Sequence, residues 1–317
     1  MKRIIVLGGT GFFGGLIVEK LRAAGLTPHV ASRHSEFRID ADNAEDLRAH
    51  IRQRDLVIDA AGPYQKRTPA LVDAAAKVGF DVIDLSDSAW YTTMVYEREA
   101  PIAAAGIRYL TACSSLSSVS AAVLGMSSVA QPRRLTAYLR PASRLTANEG
   151  SIGSFLGSLT GVTRTIRFEE PLGKRNGVVV RSVDSVTLPR VFPSLRETEL
   201  VVDAGIPGAN FLLRRPGLRK LLAQNQSKLA AIARRFGPAS GILAYEIATT
   251  GGYKHQLFTG EHAHLAAVIP AVMAAQSIAA GKFPHRGIVP PTQHVEREAL
   301  FEAMFREGIA VVPPWGT

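Results

Sequence analysis

Gly8, Gly11 and Gly14 stand three residues apart, directly after the apolar run Ile4-Ile5-Val6-Leu7 and directly before Leu16-Ile17-Val18-Glu19-Lys20-Leu21. A β-branched run that breaks into glycines and resumes with helical periodicity predicts a buried strand, a tight turn and a helix N-terminus. That arrangement seats a dinucleotide pyrophosphate. The first glycine lets the chain turn, and the second lets backbone N–H groups reach the phosphates with no Cβ in the way. The third lets the helix pack closely on the strand. The helix dipole and the free N–H groups of its first turn then favour negative charge. Gly8, Gly9, Thr10, Gly11, Phe12 and Phe13 are the expected phosphate-side contacts.

The end of the second strand discriminates between dinucleotides. An NAD site usually places Asp or Glu there, accepting from the ribose hydroxyls. This chain has Ala31-Ser32-Arg33-His34. Arg33 can grip a 2′-phosphate through a charge-assisted fork and Ser32 can donate a hydroxyl, whereas a carboxylate would repel it. NADP(H) is therefore expected over NAD(H), with Asp40 included among the cofactor contacts.

Hydride transfer needs a cofactor and substrate held at the right distance, plus a proton donor or acceptor. Asp84 ends an apolar strand, where open α/β sheets place ligands. Tyr64 and Tyr91 can donate protons. These three are the candidates for catalysis, each with a structural role as its alternative. Cys113 has no histidine near it in sequence and reads as a buried small apolar residue. His255, His262 and His264 lack a clear third partner for a metal, so no metal site is expected. Glu149 and Lys254 are candidate substrate contacts. No tyrosine is followed four residues later by lysine, which argues against a short-chain reductase.

The elements that must position these groups alternate. Strands are expected at 3–7, 28–32, 56–61, 81–85 and 107–112, with helices at 12–24, 42–53, 68–77 and 89–105 between or after them. Such alternation predicts a Rossmann-type, doubly wound parallel sheet. From about residue 130 strands are expected at 135–139, 178–188, 199–202, 243–250 and 254–259, with a helix near 150–160. These suggest an inserted α+β domain on a mostly antiparallel sheet. Helices at 263–280 and 295–307 flank a turn at Pro290-Pro291. The expected domains are 1–125 with 263–317, and 126–262.

Composition narrows the class. The 317 residues include one cysteine, which excludes a disulfide framework and a cysteine-rich zinc site. A strand beginning at residue 3 leaves no room for a signal peptide, and no apolar run is long enough to span a bilayer. A cytoplasmic location and a homo-oligomer are the defaults. The net charge of +10 suits an anionic cofactor, yet no nucleic-acid motif appears. The densest basic group, from Arg214 to Arg235, shares its stretch with Leu218, Leu221, Leu222, Leu229, Ile232 and Phe236. A surface helix packing this apolar face on its own domain is expected, with a helix lying on a membrane as the alternative.

Four segments in order carry a family resemblance: Gly8-Gly9-Thr10-Gly11-Phe12-Phe13-Gly14; Ser32-Arg33; Asp55-Leu56-Val57-Ile58-Asp59-Ala60-Ala61-Gly62-Pro63-Tyr64; and Gly79-Phe80-Asp81-Val82-Ile83-Asp84-Leu85-Ser86. The chain resembles the saccharopine dehydrogenase-like oxidoreductases. The resemblance implies that Ala60, Ala61, Gly62, Pro63 and Tyr64 wrap the nicotinamide half of the cofactor, with Asp84 and Cys113 also in that set. It further implies that residues beyond about 263 return to the first domain. Family members commonly have a Gly and a Pro after the last strand of the first half. Here the segment reads Thr111-Ala112-Cys113-Ser114-Ser115, so no amino-acid substrate site is carried over. An oxidoreductase acting on a small substrate is the expected function, with a non-catalytic NADP(H) sensor or scaffold, or a membrane-associated reductase, as alternatives.

Overall fold

The computed structural model describes residues 2–33 and 35–312. Met1, His34 and residues 313–317 lie outside the described residues, as do the side chains of Pro216, Arg219 and Lys220. The strands are β1 (Ile4–Leu7), β2 (His29–Ser32), β3 (Phe37–Arg38), β4 (Leu56–Asp59), β5 (Asp81–Asp84), β6 (Arg108–Leu110), β7 (Arg134–Arg140), β8 (Leu159–Arg167), β9 (Lys174–Val180), β10 (Glu197–Val202), β11 (Gly241–Thr249), β12 (Gly252–Gly260), β13 (Gly287–Ile288) and β14 (Ala310–Val312). Among the described residues they form two sheets of seven, ordered β13-β6-β5-β4-β1-β2-β3 and β14-β12-β11-β7-β10-β9-β8.

The chain divides into two compact units. Unit 1 comprises residues 1–119 and 266–300; unit 2 comprises 120–265 and 301–317. Of the expected return segment 263–317, the part beyond residue 300 therefore clusters with unit 2. The cause is β14, which pairs antiparallel with β12 and so extends the second sheet.

Every pair in the unit 1 sheet is parallel. β1, β4 and β5 are buried at all four positions, as a sheet covered on both faces requires. The strand order reverses between β1 and β4, so the C-terminal ends of these strands open at a topological switch point. The unit 1 helices up to residue 104 are α1 (Phe12–Ala23), α2 (Ala44–His50), α3 (Ala70–Val78), α4 (Ala89–Tyr96) and α5 (Glu99–Ala104); α6 (Ser118–Met126) starts in unit 1 and belongs mostly to unit 2. α1 buries Gly14, Ile17, Val18 and Leu21. Asn43 caps α2 by accepting from the N–H groups of Glu45 and Asp46. The single helix expected at 89–105 is two. Pro101 cannot donate to residue 97 and its ring crowds that carbonyl, so the chain breaks before it.

The unit 2 sheet is antiparallel except for the β7–β10 pair. The strand expected at 178–188 stops at Val180. There the Ser182 hydroxyl accepts from Asp184 N–H at 3.1 Å, and Asp184–Thr187 turns helical. β8 was not expected from the sequence; its pattern is mostly exposed and carries no apolar alternation to read. No helix among the described residues is long and apolar enough to cross a membrane.

Candidate functional site

The glycine turn is built against the β4 loop. Gly8 has φ +71°, and a Cβ there would lie 2.8 Å from Ala60 O and 2.9 Å from Ala61 Cα. β1 thus ends in close backbone contact with the segment after β4. Gly11 N–H donates to Gly8 O at 2.9 Å and becomes the N-cap of α1. No side chain caps that helix, so the N–H groups of its first turn are offered outward in the sense that suits phosphate. Thr10 and Gly11 are exposed, and Phe12 and Phe13 are half-buried.

Gly14 packs the helix onto the turn. A Cβ there would collide with Gly8 O and sit 2.9 Å from Gly9 Cα, both rigid backbone. At Gly15 the nearest atom is Gly9 O at 3.9 Å. Gly14→Ala is therefore expected to weaken NADPH binding at least ~10-fold by displacing the turn, whereas Gly15→Ala leaves it within ~3-fold. Fluorescence titration of the two variants side by side checks the pair.

At the end of β2, Ser32 is half-buried and Arg33 is exposed. Ser32 N–H donates to Ser35 Oγ at 2.8 Å, which folds the chain back into β3. The register then places Arg38 beside Ser32. Arg38 is exposed, so two guanidinium side chains end the β2–β3 edge. Arg38 escaped the sequence reading because β3 is two residues long and has no periodicity. Asp40 is half-buried, and its carboxylate accepts from Asp42 N–H at 3.0 Å.

The β4 and β5 ends hold a buried polar network. Asp59, the last residue of an otherwise apolar strand, is fully buried and meets Arg67, itself 4% exposed. Arg67 Nη1 donates to both Asp59 oxygens at 3.1 and 2.8 Å and to Ala61 O at 2.7 Å. Its Nε donates to Asp42 Oδ1 at 3.0 Å and its Nη2 to Ala41 O at 3.3 Å. The guanidinium also lies 5.7 and 5.8 Å from the ring centres of Tyr64 and Tyr91. Burial alone would lower the Arg67 pKa, but Asp59 and the neighbouring phenols hold its proton and raise it. Burial raises the Asp59 pKa, and the Arg67 charge pulls it back. This pair ties the Ala60–Tyr64 loop to α2's approach. The sequence reading missed it, although a carboxylate closing a fully apolar strand signals a buried cation nearby.

Tyr64 is committed to the fold. Its hydroxyl donates to Asp59 O at 2.5 Å and accepts from Leu85 N–H at 3.1 Å, linking the loops after β4 and β5. Tyr91 is fully buried, and its hydroxyl meets that of Tyr109 at 3.3 Å. Burial pushes all three phenols well above the usual tyrosine value.

Asp84 is fully buried. Its Oδ1 accepts from Ser86 N–H at 2.9 Å and from Ala112 N–H at 2.8 Å. The second bond holds Ala112 at φ +55°, a left-handed conformation that alanine seldom adopts. Oδ2 has no partner of hydrogen-bond geometry, although the Thr111 hydroxyl is close enough to draw the pKa down. Burial outweighs these donors and pushes Asp84 up to about 7.

Cys113 is also fully buried, with its N–H donating to Asp84 O at 2.8 Å. Burial pushes its thiol far above the range in which a thiolate forms. Asp84 and Cys113 thus have no exposed surface with which to meet a cofactor, and Tyr64 has almost none. Gly62 is exposed, while Ala60, Ala61 and Pro63 are half-buried, so these residues offer the loop's accessible backbone.

His294 is a further buried group absent from the sequence reading. Its Nε2 must donate to Val289 O, 3.0 Å away, which leaves Nδ1 to accept from Ser118 Oγ at 2.8 Å. Burial lowers its pKa to about 4, so it is neutral and pins the return segment to the start of α6. In unit 2, Glu149 accepts from Ser227 Oγ and Lys254 Nζ donates to Ser127 O at 2.8 Å, both on the exposed surface. His255 lies between Glu246 and Glu169. Among the described residues no group of three or more His, Cys, Asp or Glu could hold a metal ion.

A family model, the saccharopine dehydrogenase NADP binding domain, matches residues 4–110. No curated protein matches the chain. Among solved structures, an amine dehydrogenase from Mycobacterium smegmatis superposes with a TM-score of 0.52 at 12% identity, covering 92% of this chain and 96% of that one. A dehydrogenase (MviM) from Clostridium difficile gives 0.42 at 8% identity, covering 96% and 99%. The WlbA dehydrogenase from Thermus thermophilus, in complex with NAD and alpha-ketoglutarate, gives 0.40 at 14%, covering 95% and 94%. Residues 4–110 thus match the saccharopine dehydrogenase NADP binding domain, within a chain of α/β dehydrogenase fold.

Proposed function

We propose that the protein is a cytoplasmic NADP(H)-dependent oxidoreductase, homo-oligomeric by the default for soluble enzymes, that acts on a small molecule. The observation that carries the reading is the glycine turn closed against Ala60-Ala61, combined with a β2–β3 edge where Ser32, Arg33 and Arg38 stand at the strand ends and the nearest acid, Glu36, lies past the end of β2. The turn fits a pyrophosphate because Gly8 and Gly14 occupy places a Cβ would fill, and the two arginines fit a 2′-phosphate. When bound, the nicotinamide supplies or accepts the hydride. The chain's own residues do the rest. The α1 N-terminus and the turn hold the phosphates, Arg33 and Arg38 select the phosphorylated ribose, and the Ala60–Pro63 loop lines the nicotinamide side.

In this reading Tyr64 and Tyr91 are positioning residues. Their hydroxyls are spent on Asp59, Leu85 and Tyr109, so they hold the loops rather than deliver protons. Asp84 shapes the segment after β6 through Ala112. The same commitment favours a second reading, an NADP(H)-binding sensor, because none of the three candidates presents a free acid or base at the surface. A panel of imines, keto acids, aldehydes and enones with NADPH separates the two. Turnover with any member excludes the sensor; tight binding without turnover excludes catalysis on those classes.

Cofactor choice is tested at the arginines. Arg33→Ala should raise the NADPH dissociation constant ~10–100-fold, as for a lost charge-assisted bond, and leave that for NADH within ~3-fold. Arg38→Ala should act in the same direction. Equal effects on both cofactors would remove the 2′-phosphate assignment.

A further inference from the structure

Between Asp203 and Glu246 the sequence contains no carboxylate, yet it carries Arg214, Arg215, Arg219, Lys220, Lys228, Arg234 and Arg235. These residues account for most of the chain's net charge of +10. They lie on or between three consecutive short helices of unit 2, Ala209–Leu213, Pro216–Ala223 and Gln226–Phe236, each packed on the next, with Arg214 and Arg215 in the link after the first.

The apolar face expected to pack inward does so only in part: Leu218, Leu222 and Leu229 are half-buried, whereas Leu221, Ile232 and Phe236 are exposed. The helix Gln226–Phe236 buries its small residues, Ala230 and Ala233. Close approach continues at Gly237, where a Cβ would collide with the Ser143 hydroxyl. An alanine face needs no larger groove, so Leu229 is only half covered and the two bulkiest side chains of the far face are left outside. Ile232 is 46% exposed and Phe236 61%. Phe211, Leu212 and Leu221 are exposed as well, at 46%, 47% and 56%. Two guanidiniums, of Arg214 and Arg215, stand 4.3 and 4.7 Å from the centre of the Phe211 ring. Glu149 accepts from Ser227 on the last of these helices and Asp203 accepts from Asn210 and Tyr138, yet among the described residues neither forms an ion pair with Arg214, Arg215, Lys228, Arg234 or Arg235.

A surface that combines cations in excess of carboxylates with exposed aliphatic and aromatic side chains suits a partner that is anionic and apolar together. A symmetric contact with a second copy would set this charge against itself. Nucleic acid would satisfy the arginines but give Leu212, Leu221 and Ile232 nothing to bury in. The headgroup region of a bilayer containing acidic phospholipid satisfies both.

We propose that residues 209–236 form a peripheral docking surface for anionic phospholipid membranes, with Phe211, Leu212, Leu221, Ile232 and Phe236 entering the interface and the arginines meeting the headgroups. The full-length protein should co-sediment with vesicles of phosphatidylcholine containing ~30 mol% phosphatidylglycerol at ~50 mM salt, and at least ~5-fold less with phosphatidylcholine alone or at ~500 mM salt. Leu221→Ser/Ile232→Ser/Phe236→Ser and Arg214→Glu/Arg215→Glu should each reduce binding at least ~5-fold while leaving the melting temperature and NADPH affinity unchanged, because the altered side chains are exposed. Absence of binding to the anionic vesicles overturns the proposal. So does binding that neither variant alters. Duplex DNA bound as tightly, lost with the arginines but kept by the serine variant, would reassign the surface to nucleic acid. A drop in light-scattering mass in the serine variant would reassign it to self-association.

Discussion

Arg67→Met should destabilise unit 1 by about 3–5 kcal/mol, the cost of leaving one member of a buried ion pair without its partner. Methionine fills much of the volume, so the loss is electrostatic rather than a cavity. Asp59 would keep the Ala61 N–H but lose two guanidinium bonds, and the carbonyls of Ala41 and Ala61 would lose theirs. Asp59→Asn combined with Arg67→Met removes the stranded charge and should recover a substantial part of the loss. Urea unfolding of the wild type, the single and the double variant measures this. A single variant within ~1 kcal/mol of wild type would show that the pair is not coupled as the geometry requires. The same variant frees the Ala60–Tyr64 loop, so NADPH affinity should fall although Arg67 is too buried to touch the cofactor.

That pair also marks the boundary of what the sequence made legible. The glycine spacing, the apolar strands and the Asn43 cap are local signals, each written in a few consecutive residues, and the parallel sheet follows from them. Arg67 reaches Asp59 only because the Gly62-Pro63 turn reverses the chain, and Arg67 then reaches Asp42 only because the sheet brings β2's edge alongside. Ser118 and His294 are likewise joined across 176 residues of sequence. Contacts of this kind have no periodicity, and a lone arginine or histidine looks the same whether solvated or buried. β3 and β8 failed to register for a related reason: one is too short and the other too exposed to show an apolar alternation.

The 209–236 helices illustrate the opposite failure. Their helical moment was correctly read as amphipathic, but periodicity reports only that apolar residues share a face. It does not say whether that face or the alanine face beside it will be buried. Packing decided for Ala230 and Ala233, where the backbones come closest. Among the catalytic candidates, the sequence puts Asp84 at the C-terminal end of its strand, where the structure has it. Sequence had no means of showing that the phenols of Tyr64 and Tyr91 would satisfy their hydroxyls inside the fold.

Asp84 is the group whose protonation should be most visible in stability. Burial sets its folded pKa to about 7, against 3.8 for an ordinary aspartate. Below pH ~4 both folded and unfolded chains hold the proton, and the group is neutral to stability. Between pH ~4 and ~7 the unfolded chain ionises while the folded one does not, so its contribution falls by about 1.4 kcal/mol per pH unit and then levels. Asp84→Asn removes the titration and retains Oδ1 as acceptor for Ser86 and Ala112, while its amide can donate to the Thr111 hydroxyl. The stability of Asp84→Asn relative to wild type should therefore rise by roughly 4 kcal/mol from pH 4 to pH 8. Asp84→Ala removes the same titration but should be less stable than Asp84→Asn at every pH, because the donor that holds Ala112 at φ +55° loses its acceptor. Urea unfolding across that pH range separates the cases: a pH-independent difference between Asp84→Asn and wild type would mean that Asp84 ionises in the folded protein as readily as in the unfolded chain, overturning the burial-raised pKa.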